Sequence, residues 1–229
     1  MKIGGLQKLS LIDFPGILCC IVFTQGCNFR CPYCHNPELV LPEKFTPEIE
    51  IDSFFQFLEM RKKYLEGVSI TGGEPTIHSD LLLFIEKIKN MGYKVKLDTN
   101  GSNPEILKKL FEKKLLDYIS LDVKGPFDKY SEIAGVKVDN EKIKESIEII
   151  KKAKIQYEFK TTVVKSQLSF DDFKKIGEII KGARHYFLQK FIPTKCVNPS
   201  FLKETTYSDE EFEKIKEIMN KYVEKCEIR

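Results

Sequence analysis

Long apolar runs are missing from this sequence. The longest is Ile17-Leu18-Cys19-Cys20-Ile21-Val22-Phe23, far short of the roughly 18 residues that a membrane-spanning helix needs. Alanine does not occur before Ala134, so no A-x-A processing site follows that run, and Asp13 and Pro15 just ahead of it break the pattern of a secretory leader. An excess of either charge is also missing. Lys and Arg number 37 against 34 Asp and Glu, a formal net charge of +3, with both signs mixed along the chain. A surplus that small makes no basic face for nucleic acid or an anionic membrane. No Pro/Ser-rich linker or low-complexity tract divides the 229 residues. Hydrophobic residues make up 42% and charged residues 31%, enough apolar material for a core, which excludes disorder. The expectation is one cytoplasmic domain over residues 1–229, with a core from about 15 to 193 and a C-terminal helix from about 208 to 226.

Cysteine, by contrast, is plentiful. An odd count of seven without a secretory leader is a poor disulfide framework and points to metal-binding or catalytic thiols. Cys19, Cys20, Cys27, Cys31 and Cys34 crowd together, while Cys196 and Cys226 stand alone.

Apolar segments alternate with amphipathic ones along the chain. Strands are expected at Ile17–Phe23, Val68–Thr71, Tyr93–Asp98, Tyr118–Val123, Tyr157–Val164 and Tyr186–Phe191. Helices are expected near Pro47–Tyr64, Asp80–Met91, Pro104–Lys114, Asn140–Lys154, Phe170–Lys181 and Asp209–Cys226, with Ser79, Asn103 and Ser208 as caps and Gly92 as a stop. Strand–helix repetition predicts a parallel sheet built by right-handed crossovers. Six units are too few to close an eight-unit barrel, so an α/β fold of open, partial (β/α)6 barrel type is expected. Its chemistry should collect in the loops after the strands.

Directly after the first expected strand comes Thr24-Gln25-Gly26-Cys27-Asn28-Phe29-Arg30-Cys31-Pro32-Tyr33-Cys34-His35-Asn36. Three thiols at C-x3-C-x2-C spacing can fold around one metal centre, and thiolates favour iron–sulfur clusters, zinc or copper(I). Three ligands on a four-iron cluster leave one iron open to substrate. A structural zinc site with His35 as fourth ligand is the plainer reading. Against it, Cys34 and His35 are adjacent, and no second ligand pair follows at a zinc-finger interval.

Leu9-Ser10-Leu11-Ile12-Asp13-Phe14-Pro15-Gly16, Phe23-Thr24-Gln25-Gly26-Cys27 and Cys31-Pro32-Tyr33-Cys34-His35-Asn36-Pro37-Glu38 resemble the glycyl-radical-enzyme activating proteins of the radical S-adenosylmethionine (SAM) superfamily. The nearest likeness is to anaerobic ribonucleoside-triphosphate reductase activating proteins, with pyruvate formate-lyase activating enzymes close by. It runs from about Gly5 to Pro193. The resemblance implies an oxidoreductase with a [4Fe–4S] cluster on Cys27, Cys31 and Cys34 and SAM on the open iron. Ferredoxin or flavodoxin would supply the electron that splits SAM into methionine and a 5′-deoxyadenosyl radical. That radical would take a hydrogen atom from a backbone glycine of a partner enzyme, anaerobic ribonucleotide reductase. The alternatives are a radical SAM enzyme acting on a small molecule, of 7-carboxy-7-deazaguanine synthase type, and a zinc-stabilised binding protein without catalysis.

The later loops fit the same scheme. Thr71-Gly72-Gly73-Glu74-Pro75 has paired glycines that let backbone approach a ligand; the resemblance gives Gly73 to the amino group of SAM, with Glu74 orienting it. In Asp98-Thr99-Asn100-Gly101, the resemblance gives Asp98 and Thr99 to a monovalent cation beside SAM. Along Tyr118-Ile119-Ser120-Leu121-Asp122-Val123-Lys124, alternation puts Ser120, Asp122 and Lys124 on one face and turns Ile119, Leu121 and Val123 toward the helices. An inward Asp and Lys are costly unless paired or liganded, and spacing alone leaves both open. The resemblance carries over Asp122-Val123-Lys124 as cofactor-binding, Lys124 for the SAM carboxylate and Asp122 for the cation. Lys160 and Thr162 share a face of the fifth strand, and Gln189 stands where relatives place a histidine for the ribose. Tyr33 and His35 are expected beside the cofactor, Tyr33 as a shield of the cluster or as plain loop packing. Cys19, Cys20, Cys196 and Cys226 are expected to be structural.

Overall fold

The computed structural model describes residues 1–229, and the alternation of apolar and amphipathic segments becomes an alternation of strand and helix. The strands are β1 (Ile3–Ser10), β2 (Cys19–Thr24), β3 (Gly67–Gly72), β4 (Lys94–Thr99), β5 (Tyr118–Asp122), β6 (Gln156–Val163), β7 (His185–Lys190) and β8 (Lys225–Ile228). They form one sheet whose spatial order is the chain order, β1 to β8. β1 runs antiparallel to β2 and every later pair is parallel. Sequential parallel order means that each crossover advances by one strand, the winding of a barrel. β1 and β8 do not pair with each other, so the barrel stays open between them.

The helices are α1 (Pro37–Val40), α2 (Ile51–Arg61), α3 (Leu81–Asn90), α4 (Pro104–Glu112), α5 (Tyr130–Ala134), α6 (Asn140–Lys152), α7 (Phe170–Ile179) and α8 (Asp209–Met219). Their apolar faces pack on outward strand residues such as Val68, Ile70, Val95, Leu97, Ile119 and Leu121, all fully buried in one cluster of 52 core residues. Each such side chain contributes about 1.5–3 kcal/mol on burial. None of the helices is long and apolar enough to cross a membrane.

The six expected strands are present, and two more flank them. β1 escapes a pattern search because its sequence, IGGLQKLS, is mostly half-buried or exposed. At the other end, the expected helix to Cys226 stops at Met219 and the chain turns into β8. There the Cys226 amide donates to the Asn220 side chain at 3.0 Å. The helix expected from Pro47 starts only at Ile51; the segment before it runs beside β1, where the Ile49 amide donates to the Ile3 carbonyl at 2.8 Å. Of the expected caps, Ser208 forms a reciprocal box with Glu211. Ser79 does not cap α3, whose cap position is Asp80, and Asn103 turns its amide to the Thr76 carbonyl instead.

Candidate active site at the carboxyl ends of the strands

The loop after β2 carries Cys27, Cys31 and Cys34, and it lacks regular structure until α1. Hydrogen bonds pin it from several sides. The Gly26 amide donates to the Leu39 carbonyl at 2.8 Å, and the Arg30 amide donates to the Ala134 carbonyl at 2.8 Å. From the segment after β7, the amides of Val197 and Asn198 donate to the carbonyls of Cys34 and Pro32, each at 3.0 Å. The Arg30 guanidinium gathers the carbonyls of Cys27 and Phe29 at 2.6 and 2.8 Å. A loop anchored this way presents its thiols in fixed positions.

All three thiols line one cleft of about 200 Å³ at the mouth of the barrel. Burial pushes Cys27 up to about 12 and Cys31 up to about 11, and raises Cys34, while Lys124 pulls each of them down. Without a metal these are neutral thiols; ligation has to drive the protons off. No three His, Cys, Asp or Glu side chains are grouped as ligands of a single ion. His35 is not gathered with the thiols as a fourth ligand; its ring stacks on Phe191, with centroids 5.4 Å apart. Its Nε2 is buried without a partner, as is the Tyr33 hydroxyl. Three soft donors lining one cleft, with orphaned polar atoms beside them, fit an iron–sulfur group and a second polar ligand.

The paired glycines at the end of β3 do something the sequence did not reveal. A Cβ on Gly73 would stand 2.0 Å from the Gly26 carbonyl oxygen, and one on Gly72 would stand 2.5 Å from the Thr24 amide. The Gly73 amide donates to Thr24 and the Glu74 amide to Gly26, both at 2.8 Å. These glycines therefore let the cysteine loop lie flat against β3, in addition to lining the cleft. Glu74 is fully enclosed. Its carboxylate accepts from the Thr76 amide at 3.0 Å, the Thr76 hydroxyl at 2.5 Å, the Thr99 hydroxyl at 2.7 Å and the Asn100 amide at 2.6 Å. Burial raises its pKa against those bonds. Glu74 ties the loop after β3 to the loop after β4.

Below the thiols, inward residues of three strands form a ladder of charges. Lys96 and Asp98 come from β4, Asp122 from the end of β5, Lys124 just beyond it, and Lys160 from β6. Lys124 lies 3.5 Å from Asp122; Lys160 lies 3.3 Å from Asp98 and 3.8 Å from Asp122; Lys96 also pairs with Asp98. Burial works against Asp98, but Lys160 and then Lys96 hold its carboxyl down to about 2. Burial likewise opposes the charge on Lys124, which Asp122 holds well above the usual lysine range. The cleft thus carries fixed charges of both signs, with Lys124 acting on all three thiols.

Of the ten residues expected at the cofactor, Tyr33, His35, Gly73, Glu74, Asp98, Thr99, Asp122, Lys124 and Gln189 all line the cleft. Val123 does not: its side chain is fully buried in the core and its amide donates to the Lys160 carbonyl at 2.8 Å. The cleft also takes in Asn36, Thr71, Asn100, Lys160 and Thr162, which pattern reading left without roles. For Lys160 the signal was present, since it shares the inward face with Thr162; Lys96 is two residues before Asp98, the same face by alternation. Cys19, Cys20, Cys196 and Cys226 are all buried. Burial pushes Cys20 and Cys226 up to about 12, as for inert packing residues.

Comparison with known proteins agrees with this geometry. The Radical SAM superfamily pattern matches residues 21–180. A protein of Methanocaldococcus jannaschii, provisionally named glycyl-radical enzyme activating enzyme MJ1227, is 34% identical over 99% of this chain and 95% of its own length. The pyruvate formate-lyase-activating enzyme of Staphylococcus aureus is 33% identical over 57% of this chain and 56% of its own. The crystal structure of QueE from Escherichia coli shares the fold across 100% of this chain and 93% of its own, with a TM-score of 0.58 at 16% identity. The chain belongs to the radical SAM superfamily and, within it, to the family of glycyl-radical enzyme activating enzymes.

Proposed function

We propose that this chain is the activase of a glycyl radical enzyme, with anaerobic ribonucleotide reductase as its partner and ferredoxin or flavodoxin as its electron donor, acting in the cytoplasm as one domain. The observation that carries this reading is the convergence of Cys27, Cys31 and Cys34 on the same cleft as Gly73, Asp122 and Lys124. A [4Fe–4S] cluster held there supplies the electron that cleaves SAM to methionine and a 5′-deoxyadenosyl radical.

The chain's own residues provide position and electrostatics. Cys27, Cys31 and Cys34 are the cluster ligands. Lys124, kept charged by Asp122, faces the SAM carboxylate, and the backbone at Gly73 faces its amino group. Glu74 fixes the loops after β3 and β4 relative to each other. Tyr33, edge-on to Phe191 at 6.5 Å, closes the inner wall against water, and Gln189 with Thr162 lines the side left for the nucleoside. The gap between β1 and β8 gives a partner's glycine-bearing loop a lateral way in.

The test is electron paramagnetic resonance of the anaerobic reductase mixed with the reconstituted protein, SAM and a reductant. A glycyl radical signal that needs all components is expected. SAM cleavage in the presence of the reductase without that signal, and product formation on a small molecule alone, would transfer the assignment to a small-molecule radical SAM enzyme.

A further inference from the structure

We infer that the Lys160 ammonium serves as a built-in cation at the SAM site, in the place where a free monovalent ion would otherwise bridge Asp98 and Asp122. The inference rests on the SAM reading of the cleft and names one of its positioning residues.

Three oxygen donors are expected to hold a monovalent ion: the carboxylates of Asp98 and Asp122 and the Thr99 hydroxyl. Each is already engaged. Lys160 Nζ lies between the two carboxylates, 3.3 Å from Asp98 Oδ2 and 3.8 Å from Asp122 Oδ2. The remaining oxygen of Asp98 pairs with Lys96, and Asp122 Oδ1 faces Lys124 at 3.5 Å. The Thr99 hydroxyl donates to Glu74 at 2.7 Å and accepts from the Gly101 amide at 3.1 Å. A further cation between these aspartates would sit directly beside an ammonium held within 3.8 Å of both carboxylates, where like charges repel.

The placement follows from the sheet. Parallel register sets Lys160 opposite Asp122, one strand over, and a lysine stem is long enough to reach past β5 to Asp98 on β4. Only 17% of the Lys160 side chain is exposed, so its charge is presented to the carboxylates and the cleft more than to solvent. Around it stand Asp98, Asp122 and Glu158 as anions and Lys124 as a neighbouring cation. Tethering removes the entropy cost of capturing a free ion and makes the site independent of the salt present.

Two readouts separate this inference from the SAM reading. The first needs no SAM: sodium-23 line broadening and thermal melting of the protein in sodium, potassium and tetramethylammonium chlorides at equal ionic strength. Wild type is expected to show no saturable sodium site and one melting temperature in all three salts. Lys160→Ala is expected to melt lower in tetramethylammonium than in sodium or potassium, because the small ions refill the space. Lys160→Arg keeps the wild-type indifference.

The second readout is SAM affinity of the iron-reconstituted proteins in the same salts. Wild type should change by less than about twofold, and Lys160→Ala should weaken by about tenfold in tetramethylammonium and recover with about 100 mM sodium or potassium. A saturable sodium site in the wild type, or wild-type SAM affinity that climbs severalfold with sodium or potassium, would overturn the built-in cation. Those wild-type measurements decide the matter even where Lys160→Ala does not fold. Absence of SAM binding in every protein and salt would instead defeat the SAM reading, and the sodium and melting data would still judge Lys160.

Discussion

At the floor of the barrel, Glu158 has every partner it can use. Its carboxylate accepts from Tyr118 at 3.0 Å, from Ser120 at 3.1 Å and from two nitrogens of Arg229 at 3.0 Å, and 2% of it is exposed. Arg229 in turn lies 3.3 Å over the Phe187 ring. At the mouth, near the thiols, the same chemistry is left incomplete. The Tyr33 hydroxyl and His35 Nε2 have no partner, and Lys124 has a single carboxylate contact, at 3.5 Å. A saturated buried charge serves the fold, because nothing is left over to bind. An unsaturated one serves a ligand, because its cost is recovered only when the ligand arrives. The Lys96–Asp98–Lys160 ladder lies between, its carboxylate paired from both sides.

Predictions can break this contrast at each level. The largest effect belongs to the thiols: Cys34→Ser should lose the bound iron–sulfur absorbance and lower SAM cleavage by about a thousandfold or more, while the melting temperature of the metal-free protein barely moves. Retention of iron and activity would remove Cys34 from the cluster. Next comes the floor. Glu158→Gln leaves a guanidinium without its anion and should destabilise the protein by about 2–3 kcal/mol, a fall of about 5–10 °C in melting temperature, with SAM affinity unchanged. A drop in SAM affinity without loss of stability would reverse the roles assigned to floor and mouth.

The ladder predicts an acid dependence. Asp98 is held at about 2 in the folded chain against about 3.9 unfolded, so its contribution is complete above pH 4 and is lost as pH falls toward 2. That window is worth about 2 kcal/mol. Unfolding free energies measured between pH 5 and pH 2 should therefore fall more steeply for wild type than for Asp98→Asn; equal slopes would place Asp98 outside the ladder. The smallest effect is at the mouth. Lys124→Gln should weaken SAM binding by about tenfold, measured by calorimetry on the reconstituted protein, with little change in melting temperature.

Much of the fold was legible because strand and helix periods differ: the inner strands are either apolar runs such as Cys19–Thr24 or apolar residues alternating with polar ones, as in Lys94–Thr99 and Tyr118–Asp122. β1 and β8 were not, since an edge strand with exposed polar residues and a four-residue strand carry little pattern. The site was legible where a single residue type suffices: thiols at fixed spacing, or Asp122 and Lys124 two apart on one face. It was not legible where neighbouring strands combine. Nothing in the sequence around Lys160 announces Asp98, 62 residues earlier, as its partner. Nor could spacing show that Gly73 makes room for the Gly26 carbonyl, because that contact exists only once β3 lies beside β2.

The central claim is that Cys27, Cys31 and Cys34 and the cleft around them make a SAM-cleaving site. Its most direct test is 5′-deoxyadenosine formed from SAM under strict anaerobiosis, after iron–sulfide reconstitution and dithionite reduction, in wild type and in Cys31→Ala. Product from the wild type alone is the expected result. No product from an iron-loaded wild type, or equal product from Cys31→Ala, would contradict it.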